Sequence, residues 1–148
     1  MQATRVKFFQ HMSRARSRIL GVPIYLWTLP TTMLGLWLLP VALLTGGSFD
    51  VVAGVIEIHG GFVRWMLRHC TLLRGGASAM TLGHVVLAQD AMLAKLTRHH
   101  ERVHVRQAER WGPLFVPAYL IGSLVALLRG QRAYLDNPFE REAYEQAP

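Results

Sequence analysis

The chain has one cysteine, Cys70, so no intrachain disulfide can brace it. That fits a reducing compartment without excluding the periplasm. Cys70 lies more than a motif's length from the histidines near residue 100, which leaves it a structural role. Charge is scarce as well. Only 17% of residues are Asp, Glu, Lys or Arg, against 51% apolar, and the mean hydropathy is +0.23. An ordinary soluble domain of this size is less apolar. Acidic residues are the scarcer, 9 against 16 Lys and Arg, for a net charge of +7. A basic balance can signal nucleic acid, but the distribution argues against that partner. Arg5, Lys7, Arg14, Arg16 and Arg18 crowd the front, just ahead of the most apolar stretch. The other arginines are scattered, with no nucleic-acid module around them. A basic flank before an apolar run is instead a membrane-topology signal. There is no internal repeat and no low-complexity tract.

At 148 residues the chain is one domain's worth with an appended segment. Three stretches are expected: a basic segment over 1–18, a hydrophobic membrane anchor over 19–45, and a folded domain over 46–148. No charged residue occurs from Ile19 to Leu44, and a span needs about 20 apolar residues. Pro23, Pro30 and Pro40 imply a kink, or a shorter span from about Pro23 to Leu39. No small-x-small site follows the run, which argues against a cleaved signal peptide. A buried hairpin of two helices is the alternative. Thr45-Gly46-Gly47-Ser48 then breaks the run. Val51–His59 and Phe62–His69 read as two strands joined by Gly60-Gly61, which would set Glu57 opposite Arg64 and Ile56 opposite Trp65. Ala79–Leu87 reads as a third strand. Asp90 is the expected N-cap of a long helix, stopped by Gly112-Pro113. Leu93, Leu96, His100, Val103, His104, Gln107 and Trp111 form one stripe along it. An apolar helix is expected over 114–128, buried against the sheet or the anchor, with a membrane-embedded half-helix as the alternative, and a last short one from Asn137-Pro138. The fold class is therefore α+β: a membrane helix, a small three-stranded antiparallel sheet, then three helices.

The chemistry is carried by His100-Glu101-Arg102-Val103-His104, an H-E-x-x-H pattern in mid-helix. Residues four apart are offset by about 40° around the axis and about 6 Å along it. Both imidazoles leave the same face and can converge on one metal ion. Glu101, one step round, can reach a water there without ligating the ion. Two neutral nitrogen ligands suit zinc, and a general base beside it suits hydrolysis. A solvated face of histidines and arginines is the bland alternative.

Near the C-terminus stands Asn137-Pro138-Phe139-Glu140-Arg141-Glu142-Ala143. Asn-x-x-Glu-x-x-Ala downstream of H-E-x-x-H resembles the glutamate-ligand helix of the gluzincins, the thermolysin-like zinc peptidases. The stretch from His100 through Tyr119, with Asp136 to Tyr144, also resembles an uncharacterised family of small bacterial membrane proteins. The resemblance implies one zinc ion held by His100, His104 and Glu140, with Glu101 as the catalytic base and a peptide or protein as substrate. It covers about a third of the chain. Glu142, nearly opposite on the helix, is the competing third ligand. Two departures stand out. Tyr144 occupies the place, four residues after the ligand glutamate, where those enzymes carry an aspartate that orients a ligand histidine; Asp136, Glu142 and Glu109 are the substitutes on offer. No further lobe supplies an oxyanion donor, and Tyr119, Tyr134, Tyr144 and His84 are the candidates by type. His99 is expected at the surface or in an outer shell.

The expected function is a membrane-associated zinc metallopeptidase, in contact with lipid and not with nucleic acid. Its expected location is a bacterial inner membrane, with the basic N-terminus cytoplasmic. A single span would then put the zinc domain on the far side. The alternatives are a zinc-stabilised membrane protein without activity, and an interaction module that has lost its metal.

Overall fold

From residue 22 to Leu44 the charge-free run forms helix, with a turn at Trp37. The structure, a computed structural model, describes residues 22–71, 73 and 75–147. The basic segment 1–18 and the first residues of the expected anchor lie outside the described residues. Helix α1 (residues 22–36) and helix α2 (Leu38–Leu44) follow each other with a turn at Trp37. Pro40 has no N–H to donate back to Leu36, and the break falls one turn before it. Pro23 sits in the first turn, where a missing N–H costs nothing. The buried residues of the pair are small or hydroxyl-bearing, Thr28, Thr31, Gly35 and Ala42, with Leu36, Leu38 and Leu39 packed partly against the core. Glycine is required at 35, since a Cβ there would stand 2.6 Å from Cβ of Val85.

Four strands make a mixed sheet, where a three-stranded antiparallel one was expected. They are β1 (Ser48–Val52), β2 (Val55–His59), β3 (Ala79–Leu82) and β4 (Val85–Ala88), in the order β1-β2-β4-β3. β1/β2 and β3/β4 are antiparallel hairpins, and β2 runs parallel to β4 from Ile56↔Val85 to His59↔Ala88. The first hairpin turns at Ala53-Gly54, both at positive φ (48° and 79°), as a two-residue primed turn demands. The second turns at Gly83-His84, splitting the single strand expected over 79–87.

No hairpin forms at Gly60-Gly61. Phe62–His69, expected as a strand, is helix α3 (Gly61–His69), with Val63 and Leu67 buried one turn apart. Parallel strands need a crossover, and α3 lies within it. Glu57 therefore does not face Arg64. In register it meets Asp50 and Val86, and its carboxylate is held by Arg98 through two bonds of 2.8 Å. Arg64 donates to the Gln89 carbonyl at 3.0 Å.

The main core lies between the sheet and α2–α3: Ala42, Ile58, Val63, Leu67, Val85 and Leu87. On the other face Val55 and Val86 meet Val105 of helix α4 (Ala91–Trp111). Central strands covered on both sides read as continuous apolar runs, as Val85–Ala88 does. Asp90 caps α4, accepting from Leu93 N at 2.9 Å. A 3₁₀ turn, Gly112–Leu114, carries the chain almost straight into helix α5 (Phe115–Leu128). Gly112 has φ 56°, and a Cβ on it would meet the Trp27 indole at 2.2 Å, so the start of α1 sits on this junction. The burial expected for α5 does not occur. Leu120, Ile121, Leu124, Leu127 and Leu128 are exposed. Helix α6 (Pro138–Gln146) closes the described chain. Two helical stretches, Val22–Leu44 and Ala91–Leu128, are long and apolar enough to cross a membrane.

Candidate metal centre

Local sequence places the three donors. His100 and His104 project from one face of α4, a turn apart. Glu140 comes from α6, whose start is fixed by Asn137 and Pro138. Asn137 is fully buried; its Oδ1 accepts from Phe139 N at 2.9 Å. Its Nδ2 donates to the Tyr119 carbonyl (2.9 Å) and Ser123 Oγ (2.8 Å), pinning α6 to α5. Phe139 is wedged among Trp111, Phe115 and Tyr119. That clamp aims Glu140 at the histidines.

His100 Nε2 lies 3.0 Å from Glu140 Oε2, His104 Nε2 lies 3.3 Å from Glu140 Oε1, and the two Nε2 atoms are 3.1 Å apart. His100, His104 and Glu140 thus form a group that could hold a metal ion. A tetrahedral ion with bonds of about 2.0–2.1 Å separates its donors by about 3.3 Å, close to the spacings found. Tyr119 donates to Glu140 Oε1 at 2.6 Å.

The electrostatics ask for a cation. His104 Nδ1 lies 2.8 Å from Gln107 Oε1, an acceptor, so the ring proton belongs on Nδ1 and the Nε2 lone pair faces the centre. Lone pairs and a carboxylate then confront one another, and a proton or a metal ion relieves the repulsion. Burial works against charge on Glu140, but hydrogen bonds from His100 and His104 outweigh it and hold its carboxyl down to about 2. Burial likewise opposes protonation of His104; the hydrogen bond and charge of Glu140 overcome it and raise the imidazole above its ordinary value.

Glu101 is 5% exposed, on the sheet side of the same helix. Its Oε2 accepts from Thr81 Oγ1 of β3 at 2.7 Å. Burial pushes its carboxyl up, partly offset by the charge of His104 and the Thr81 bond. β3 is an edge strand of the sheet among the described residues, so Glu101 sits beside a strand edge.

The remaining sequence candidates divide. Tyr144 is at the centre, its ring centroid 4.7 Å from that of His100, and half-exposed. Tyr134 is close by, its hydroxyl pushed up by burial and by the charge of Glu140. Asp136 is not there; it pairs with Arg132 at 3.0 Å. His84 is not there either. Its Nδ1 contacts Thr28 Oγ1 (2.9 Å) and its Nε2 contacts Glu109 (3.1 Å). With His99, Arg98 and Arg102 it lines a separate cavity of ≈ 390 Å³. Glu142 is no ligand; it accepts from Gln107 Nε2 at 2.9 Å and pairs with Arg110 at 3.3 Å.

Sequence reasoning missed Gln107 and Thr81 as site residues. Gln107 is the fully buried partner that orients His104, the task for which an aspartate was sought. Its signal was available: it stands three residues after His104, on the same helical stripe. Thr81 carries no signal in one dimension, since only the fold brings β3 to α4. No family model matches the chain, and neither a curated protein nor a solved structure does.

Proposed function

We propose that this protein is a membrane-associated zinc peptidase. The observation that carries the reading is the joint placement of two imidazoles and a carboxylate at mutual hydrogen-bonding distance, with a second, buried carboxylate between them and a strand edge. His100, His104 and Glu140 would hold the ion. When bound, zinc lowers the pKa of a water in its open position to about 7 and polarises a carbonyl.

The chain's own residues do the rest. Gln107 keeps the His104 proton on Nδ1, so that Nε2 stays a donor to the ion. Thr81 holds the Glu101 carboxylate in place. Burial brings that carboxyl nearer to neutrality, which strengthens it as a base. Glu101 takes the proton as water attacks the peptide carbonyl carbon, then delivers it to the nitrogen as the C–N bond breaks. An extended peptide can pair with the edge of β3, which brings its carbonyl past Glu101. Tyr144, whose ring centroid lies 4.7 Å from that of His100, would donate to the oxygen that gains charge.

A non-catalytic zinc centre is the second reading, favoured by the depth of Glu101. Glu101→Gln separates the two. In a peptidase it lowers turnover of a casein or peptide substrate by about 10²–10⁴-fold at unchanged zinc content. Equal traces of hydrolysis in both proteins would leave the structural reading standing.

A further inference from the structure

The two apolar helices have an inverted pattern. In α1–α2 the buried residues, Thr28, Thr31, Gly35 and Ala42, are small or hydroxyl-bearing and Leu36, Leu38 and Leu39 pack only partly on the core, while Leu26, Leu34, Trp37 and Leu44 are 64%, 58%, 74% and 88% exposed. Helix α5 is similar beyond its buried Phe115 and its Tyr119, with Gly122, Ser123 and Ala126 inward and Leu120, Ile121 and Leu124 outward. A helix turning its large apolar side chains outward and its small ones inward is built for lipid on the outside. The basic run Arg5 to Arg18 precedes α1, and Arg129 follows α5, charges that complement anionic headgroups.

A crossing helix would carry its neighbours into hydrocarbon. Strand β1 runs beside α1–α2 with both ends tied to it. Gly47 N donates to Ala42 O at 2.7 Å, and Gly54, just past the other end, accepts from Tyr25 at 3.5 Å. β1 is an edge of the sheet among the described residues and bears Asp50, whose side chain is 60% exposed. Unpaired strand edges do not occur in lipid, where each unsatisfied backbone group costs several kcal/mol. At α5, α6 lies alongside with Glu140, Arg141 and Glu142, which a crossing α5 would carry toward hydrocarbon.

We propose that α1–α2 and α5 lie in the plane of a bilayer surface, with only their outer faces immersed, so that nothing described here crosses it. The metal centre then shares an aqueous side with the basic segment, the cytoplasmic side if that segment stays inside. The inference rests on the membrane association proposed above.

The test uses the full chain on vesicles of phosphatidylethanolamine with phosphatidylglycerol, and in cells. In a Cys70→Ser background, spin labels at Leu26→Cys, Leu34→Cys and Leu44→Cys report depth. The in-plane arrangement gives all three a common shallow depth of about 5–10 Å below the headgroups. In cells, Cys70 of the otherwise native chain and Gln2→Cys in the Cys70→Ser background react with an impermeant maleimide from one and the same side. Labels at Leu26 and Leu44 in opposite leaflets, or Cys70 and Gln2→Cys on opposite sides, overturn the in-plane arrangement and leave membrane association intact. Failure to float with vesicles, with the labels buried in a dimer of the chain, overturns both.

Discussion

Gln107→Leu removes a side chain that is fully buried and makes three hydrogen bonds: from His104 Nδ1, to the Phe139 carbonyl, and to Glu142. Leucine matches its volume but offers neither acceptor nor donor. The buried His104 Nδ1–H loses its acceptor, at about 1–3 kcal/mol, and the part-buried Phe139 carbonyl loses one donor, at about 0.5–1.5 kcal/mol. Glu142 keeps Arg110 and Gln146 and adds little. The metal-free protein should lose about 2–4 kcal/mol, about 4–16 °C in Tm for a chain of 148 residues. A second effect is separable from the first. Without its acceptor His104 can turn or change tautomer, and zinc affinity should fall about 10–100-fold. Competition with a chromophoric chelator, at a temperature where the variant is folded, measures this. A variant with a lowered Tm but zinc affinity within about twofold of wild type would refute the orienting role.

The metal-free protein should respond to pH in both directions. The folded Glu140 pKa, about 2, lies below its ordinary value, so its contribution is present above about pH 4.5 and is lost as pH falls toward 2. His104 is raised when folded, so its contribution is full below about pH 6.5 and is lost as pH rises through the folded value. Urea unfolding in EDTA should therefore peak between about pH 5 and 6.5, and zinc should move that optimum upward, because the ion needs neutral imidazole. A metal-free optimum above pH 8 would contradict the coupling. Glu57→Gln should cost about 3 kcal/mol, the low end for a broken buried pair, because Arg98 keeps 31% side-chain exposure. Chemical denaturation measures it, and Glu57→Leu with Arg98→Met should recover part of the loss.

The site was more legible than the scaffold that carries it. Helix α4 announces itself by its cap, its stripe and its Gly-Pro stop, and Asn137-Pro138 announces α6. Helical spacing brought His100 and His104 into consideration, and the resemblance of Asn137–Ala143 to a gluzincin glutamate helix brought Glu140. The sheet was harder to read. Phe62–His69 has apolar residues at 62, 63, 65, 66 and 67, which fit a strand or a helix equally. Gly60-Gly61 looks like a turn, whereas the real one uses Ala53, an alanine forced to positive φ that no composition rule picks out. The parallel pairing of β2 with β4 is set by long-range burial, not by local turn signals. The same limit hid Glu57–Arg98 and Thr81–Glu101, contacts between residues 41 and 20 positions apart. The apolar runs were recognised. What position along the chain could not show was which residues of each run face inward.

The central claim is one metal ion held by three residues from two helices. Its most direct test is the metal content of the gently purified protein beside Glu140→Ala. One zinc per chain in wild type, with occupancy lost or much weakened in the variant, is the expected result. Wild type without zinc, or equal zinc in both proteins, would contradict the ligand set and remove the main support for hydrolysis.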